Sequence, residues 1–187
     1  MNPLLLDFPT SFTTERLTIR MPHPGDGQVV YDALTRSRAE LKDWLPFAQK
    51  EQTLEETEAN MRRAHAKFLN REDLRLLIFH KENGTFIGSS GLHRMNWDVP
   101  KFEIGYWCDA AFSGKGYMTE AVQGIAHFAF TELHANRIEI RCDALNKKSR
   151  AIPERLSFQL EGILHNEALS VDGKSLRDTC IYAKVKA

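Results

Sequence analysis

The stretch FSGKGYMTEA, Phe112 to Ala121, constrains this chain more than any other. It sets two glycines around Lys115 where an apolar, strand-like run, Phe102 to Cys108, gives way to an amphipathic helical pattern. Glycine enters positive φ freely, so the backbone can turn there with its N–H groups pointing inward, and a helix starting beyond adds the positive end of its dipole. Together these features make an anion site, best matched by the diphosphate of a nucleotide-bearing ligand. Two common cradles are excluded. A dinucleotide-binding domain carries its glycines after the first strand of a regular βαβ series, whereas a strand hairpin and a further strand precede them here. A P-loop requires GxxxxGK followed by Ser or Thr, and Lys115 lies between the glycines instead.

Around this loop the periodicity predicts a regular order of elements. Glu15 to Met21 alternates apolar and polar residues as a half-buried strand does, and Pro22, Pro24 and Gly25 end it. Asp26 is placed to cap a helix running to about Ser37, and Leu54 to about Asn70 reads as a second helix. Leu74 to His80 and Phe86 to Met95 flank Asn83-Gly84, a hairpin signal. Phe102 to Cys108 is the next strand, followed by a helix from Met118 to Leu133, a strand from Arg137 to Ala144 and a short helix from Lys148 to Leu156. Pro153 is expected in that helix's first turn, where its missing N–H costs little. Gly162 to Val171 and Leu176 to Val185 close the chain as a hairpin over Asp172 and Gly173. The expectation is an α+β, three-layer fold: a mixed, mostly antiparallel seven-stranded sheet with helices on both faces. A length of 187 residues fits one domain, 1–187.

Charge and cysteine usage narrow the partners. Twenty-five Lys plus Arg balance 25 Asp plus Glu, so no global field draws the chain to nucleic acid or to an anionic membrane. The leucines near the N-terminus are too few for a leader or a membrane span. Cys108, Cys142 and Cys180 form no CxxC pair and are odd in number, which argues against a disulfide framework and a zinc site and for a reducing, cytoplasmic setting. The seven histidines lack HxxxH or HExxH spacing, so no metal is expected.

Four segments together, FEIGYW at Phe102, SGKGYMTEA at Ser113, NKKS at Asn146 and ERLSFQLEG at Glu154, resemble the GNAT superfamily of acyl-CoA-dependent N-acyltransferases. Within it they resemble most the Rim-type branch, which acetylates N-terminal amines of ribosomal proteins; the likeness runs from Glu15 to about Tyr182. The resemblance implies the GNAT fold, acetyl-CoA as co-substrate and an amine acceptor. It also implies that Ser113, Gly114, Lys115, Gly116, Tyr117 and Met118 form the diphosphate loop. Ser113 stands where the family has Gln or Arg, and Met118 where it has a small residue. The missing side-chain donor at 113 is expected to weaken phosphate binding.

Acetyl transfer to an amine needs a neutral nucleophile, donors for the developing oxyanion and a proton for the departing thiolate. By resemblance Glu103 is the general base, and burial beside Phe102, Ile104 and Trp107 would raise its pKa. The family splays two strands so that pantetheine lies between them, which would use the backbone of Trp107 and Cys108. Cys108 itself reads as a small hydrophobe and not as a covalent nucleophile. Asn146 either caps the helix it precedes or, by resemblance, contacts the coenzyme arm; by resemblance Ser149, or a tyrosine near it, is the acid for sulfur. His93 is a candidate for lining the acceptor cleft, Glu167 lies close to an acidic position used in amine handling by Rim-like relatives, and Trp44 either walls the acceptor or packs its connection onto the core. The expected acceptor is a protein N-terminus. A small-molecule amine and a non-catalytic acyl-CoA-binding role are the alternatives, and monomer and homodimer both stay open.

Overall fold

In the computed structural model, which describes residues 2–186, one sheet runs through the molecule. Its strands are β1 (Ser11–Thr13), β2 (Leu17–Arg20), β3 (Leu74–His80), β4 (Phe86–Asn96), β5 (Lys101–Cys108), β6 (Arg137–Asp143), β7 (Gln159–Leu169) and β8 (Leu176–Val185). They lie in the order β1-β2-β3-β4-β5-β6-β8-β7, and every neighbouring pair is antiparallel except β5 and β6. The helices are α1 (Gly27–Leu41), α2 (Leu54–Leu69), α3 (Tyr117–Thr131) and α4 (Lys147–Arg155). Val30 and Ala33 of α1 and Met61 of α2 pack on Leu77 and Phe86 on one face, while α3 and α4 cover the other through Val122, Ile125 and Ile152. Strand β4 carries the centre: Phe86 to Leu92 are all buried, as a strand covered on both sides must be.

The mixed, mostly antiparallel sheet with helices on both faces is the one expected, but among the described residues it has eight strands, not seven. The additional β1 is three residues long and exposed at its ends, too short to show a period. Asp26 occupies the N-cap of α1 but makes no capping bond. Its carboxylate accepts instead from Arg20 Nη2 at 2.7 Å, Arg20 Nη1 at 2.8 Å and the His23 N–H at 2.6 Å, so it ties β2 to the helix entry. The helix itself runs on to Leu41. Pro153 also departs from expectation. It is the seventh residue of α4, not part of its first turn, and its missing N–H leaves the Ser149 carbonyl without the usual partner one turn on.

Candidate active site

The loop after β5 is held from beneath by a buried carboxylate. Asp109 is fully buried; it accepts from Arg36 Nη2 of α1 at 2.6 Å, from Ser37 Oγ at 3.4 Å and from the Ala111 N–H at 3.0 Å. Gly114 and Gly116 then take φ of +78° and +80°, the left-handed region open to glycine. Gly116 is the N-cap of α3 with no side-chain cap, so the N–H groups of Tyr117 and Met118 have no intrahelical acceptor. The side chain of Met118 turns into the core, and Ser113 and Lys115 are exposed. What the loop offers outward is therefore backbone.

A cation reaches the loop from the far end of the sequence. Arg16 stacks over the Tyr117 ring at 4.4 Å, donates from Nη1 to the Lys115 carbonyl at 3.3 Å and holds Glu120 of α3 at 2.6 Å. Its Nη2 lies 3.5 Å from where a Cβ on Gly116 would sit. Burial pushes the Glu120 carboxyl up, but hydrogen bonds from Thr14 and Arg16 outweigh it and hold the group below its ordinary range. Arg16 thus brings a guanidinium beside the loop, in which Ser113 carries no long side-chain donor. Nothing local in the sequence marks it, since about a hundred residues separate it from the loop.

The second part of the site is a gap in the sheet. Strands β5 and β6 pair only at Lys101↔Arg137, Phe102↔Ile138 and Glu103↔Glu139, while β5 continues to Cys108 and β6 to Asp143. Ile104 to Cys108 are laddered to β4 alone, with Trp107 opposite Ser89 and Cys108 opposite Gly88. The backbone edge of β5 that faces β6 is left for another hydrogen-bonding strand-like group. The Trp107 ring packs among Phe86 and Phe47, at 5.7 and 6.5 Å, and burial pushes the Cys108 thiol up to about 11. That thiol stays protonated and is a poor nucleophile.

Alternation along β5 sends successive side chains to opposite faces of the sheet. Phe102, Ile104 and Tyr106 join the core under α3 and α4; Glu103, Gly105 and Trp107 face the α1–α2 side. Burial pushes the Glu103 carboxyl above its ordinary value, against Arg94, Arg141 and His93, which pull it down. Among the described residues its direct ion pair is to Arg94 Nη1, at 3.5 Å. On the opposite face the Ser149 Oγ lies 3.2 Å from the Tyr106 Oη, and that phenol donates to the Ser149 carbonyl at 2.8 Å. This is the carbonyl that Pro153 leaves free. Burial pushes the Cys142 thiol beside it up to about 12. Asn146 caps α4, its Oδ1 accepting from the Ser149 N–H at 3.1 Å. Glu103 and Ser149 therefore sit on opposite sides of the sheet, and the β5–β6 gap is the way between them.

The remaining sequence candidates divide. His93 is cross-strand from Glu103, with Nδ1 2.6 Å from Asp73 Oδ2. Glu167 is exposed on β7 and paired at 2.7 Å with Arg141 of β6, one of the arginines acting on Glu103. Trp44, beyond α1, lies under the Arg177 guanidinium of β8 at 5.9 Å, which brings the α1–α2 connection to the closing hairpin. Asp73, Tyr106, Arg141 and Asp109 were not singled out from sequence. For Tyr106 a signal existed: it shares the parity of Phe102 and Ile104 and so had to face α4.

A family model described as an acetyltransferase (GNAT) domain matches residues 16–159. The chain belongs to the GNAT acetyltransferase family. As a member it is an acetyl-CoA-dependent acyltransferase. It is 34% identical over 181 residues to "Putative ribosomal N-acetyltransferase YdaF" of Bacillus subtilis (strain 168), covering 95% of each chain. It is 25% identical over 156 residues to the ribosomal-protein-serine acetyltransferase of Escherichia coli (strain K12), covering 83% of this chain and 85% of that protein. Among solved structures, the microcin C7 self-immunity acetyltransferase MccE, crystallised with acetyl-CoA and AMP, superposes with a TM-score of 0.86 at 23% identity over 96% of this chain and 98% of that one. This last likeness is one of fold. Among the described residues no helix is long and apolar enough to cross a membrane, and no group of three or more His, Cys, Asp or Glu is arranged to hold a metal ion.

Proposed function

We propose that the 187 residues act as one cytoplasmic acetyltransferase domain that acetylates a primary amine by direct attack, the acceptor being the N-terminal α-amine of a protein such as a ribosomal protein. The observation that carries this reading is the β5–β6 gap with Glu103 on one face and Ser149 on the other. The residues fit acetyl-CoA. Free N–H groups at the start of α3, with Arg16 and Lys115 beside them, suit a diphosphate, and the unladdered edge of β5 suits the amide-bearing pantetheine arm. Asn146, with Oδ1 committed to its cap, has Nδ2 left to donate to that arm.

Acetyl-CoA supplies the activated acyl group as a thioester. Glu103, with its raised pKa, takes a proton from the acceptor nitrogen, and the backbone N–H of Cys108, which alternation along β5 aims away from β4, faces the thioester oxygen. Ser149 hands its proton to the leaving sulfur and recovers one through Tyr106. Cys108 takes no part beyond its backbone. Arg94, Arg141 and Arg177 share the acceptor side with Glu103, Glu139 and Glu167. That mixture suits a peptide terminus better than a polycation such as a polyamine, which would call for a strongly acidic pocket. The kinship with ribosomal-protein acetyltransferases supports the same choice. The test is thiol release from acetyl-CoA across seryl and alanyl N-terminal peptides, polyamines and aminoglycosides. Preference for the peptides is expected; preference for a polyamine or an aminoglycoside would overturn the acceptor, and no release with any amine would overturn the reaction.

A further inference from the structure

We propose that His93, held by Asp73, is a second proton acceptor of this site: its Nε2 takes the proton an acceptor ammonium must lose before attack, while Glu103 takes the one lost as the N–C bond forms. The inference rests on the amine-acetylating reading above. An ammonium and a thioester give an amide, a thiol and one free proton. The nitrogen gives up two protons, one before it can attack and one as the N–C bond forms and the C–S bond breaks; the proton Ser149 supplies to sulfur balances one of them, and the other must reach solvent. Glu103 alone, with its side chain 18% exposed, would have to accept twice per turnover.

The geometry supplies a partner for it. Asp73, just before β3, lines up with His93 of β4, Glu103 of β5 and Glu139 of β6 in a row on the acceptor face, His93 paired with Glu103 and Glu103 with Glu139. An ionised Asp73 carboxylate can only accept, so the 2.6 Å contact places the imidazole proton on Nδ1 and leaves Nε2 with its lone pair. The ring lies over two glycines. A Cβ on Gly105 would come within 3.2 Å of His93 Cδ2 and 3.5 Å of Nε2, and one on Gly91 within 3.2 Å of Cε1. Nε2 therefore points toward the segment of β5 that has lost its β6 partner. At 29% exposure His93 is wetter than Glu103 and can discharge to water. Among the described residues the other charges on this face include Arg75 on β3, one row further in, Arg94 beside His93, Lys101 on β5, and Arg137, Glu139 and Arg141 on β6, with Glu167 of β7 and Arg177 of β8 beyond them.

The test uses the full chain, acetyl-CoA and a seryl peptide with a free N-terminus. Such an α-amine, of pKa about 8, is mostly ammonium at about pH 6.5 and mostly neutral at about pH 9, where the first proton is already gone. His93→Gln is expected to lose at least about tenfold in kcat/KM at the lower pH and less than about threefold at the higher, with Asp73→Asn following the same pattern. Glu103→Gln should lose activity at both. Equal losses of the His93 variant at the two pH values, or none at the lower, would overturn the proposal. A second readout needs no acceptor: nitrogen NMR of the imidazole in the resting protein should show the Nδ1–H tautomer, and the Nε2–H tautomer would refute the dyad. Wild type that releases no thiol with any amine while showing the Nδ1–H form would instead refute the amine assignment.

Discussion

Replacing Gly116 separates what the loop does for the fold from what it does for the coenzyme. With alanine, the new Cβ meets nothing closer than Arg16 Nη2 at 3.5 Å, so the cost is conformational and not steric. An L residue held at φ +80° costs about 1–2 kcal/mol, which for a chain of this size lowers Tm by roughly 3–6 °C. Aspartate tolerates that region better, and its charge favours the start of α3 by about 0.5 kcal/mol, so Gly116→Asp should unfold no earlier than Gly116→Ala. For the coenzyme the order reverses. A carboxylate about 4 Å from a bound diphosphate is repelled by about 4 kcal/mol at an effective dielectric near 20, a loss of about a thousandfold in affinity. The assay is titration calorimetry with acetyl-CoA beside thermal unfolding. Gly116→Asp binding acetyl-CoA within about threefold of Gly116→Ala would refute the phosphate loop, and with it the placement of the thioester in the gap.

Three further outcomes follow from other parts of the structure. Glu103→Gln should lower turnover by at least about a hundredfold while stabilising the protein; because burial raises this carboxyl's folded pKa, wild type loses stability as pH climbs above the unfolded value of 4.5, so the variant's Tm advantage should be present at pH 8 and absent below pH 4, and an advantage independent of pH would refute the desolvation argument. Tyr106→Phe strips the Ser149 carbonyl of its donor and the hydroxyl of its neighbour, so unfolding free energy should fall by about 1–3 kcal/mol and kcat by about tenfold with KM for acetyl-CoA held; an unchanged kcat would remove Tyr106 from the proton path. Ser157 follows α4 with φ 57°, and Ser157→Gly should relieve about 1 kcal/mol and raise Tm by about 2–4 °C with activity unchanged; a fall in Tm would show that the serine side chain matters more than the backbone strain.

The sequence by itself determined the elements whose cause is local. The alternation of Phe102 to Cys108, the period of Met118 to Leu133, the Asn83-Gly84 turn and the two glycines around Lys115 each specify their own conformation, and the turn that leaves N–H groups free at the start of α3 was legible because it needs no distant partner. Glu103, Asn146 and Ser149 were legible as a motif, without the chemistry that relates them. Only the tertiary structure decided that β5 and β6 part just beyond Glu103, with Ser149 on the other face of the sheet, because where a ladder stops depends on which strands become neighbours. It decided likewise that Arg16 reaches the loop and that Pro153 frees the Ser149 carbonyl for Tyr106. Asp73 and His93 meet for the same reason: antiparallel pairing of β3 with β4 joins residues twenty apart, and spacing along the chain carries no record of that register.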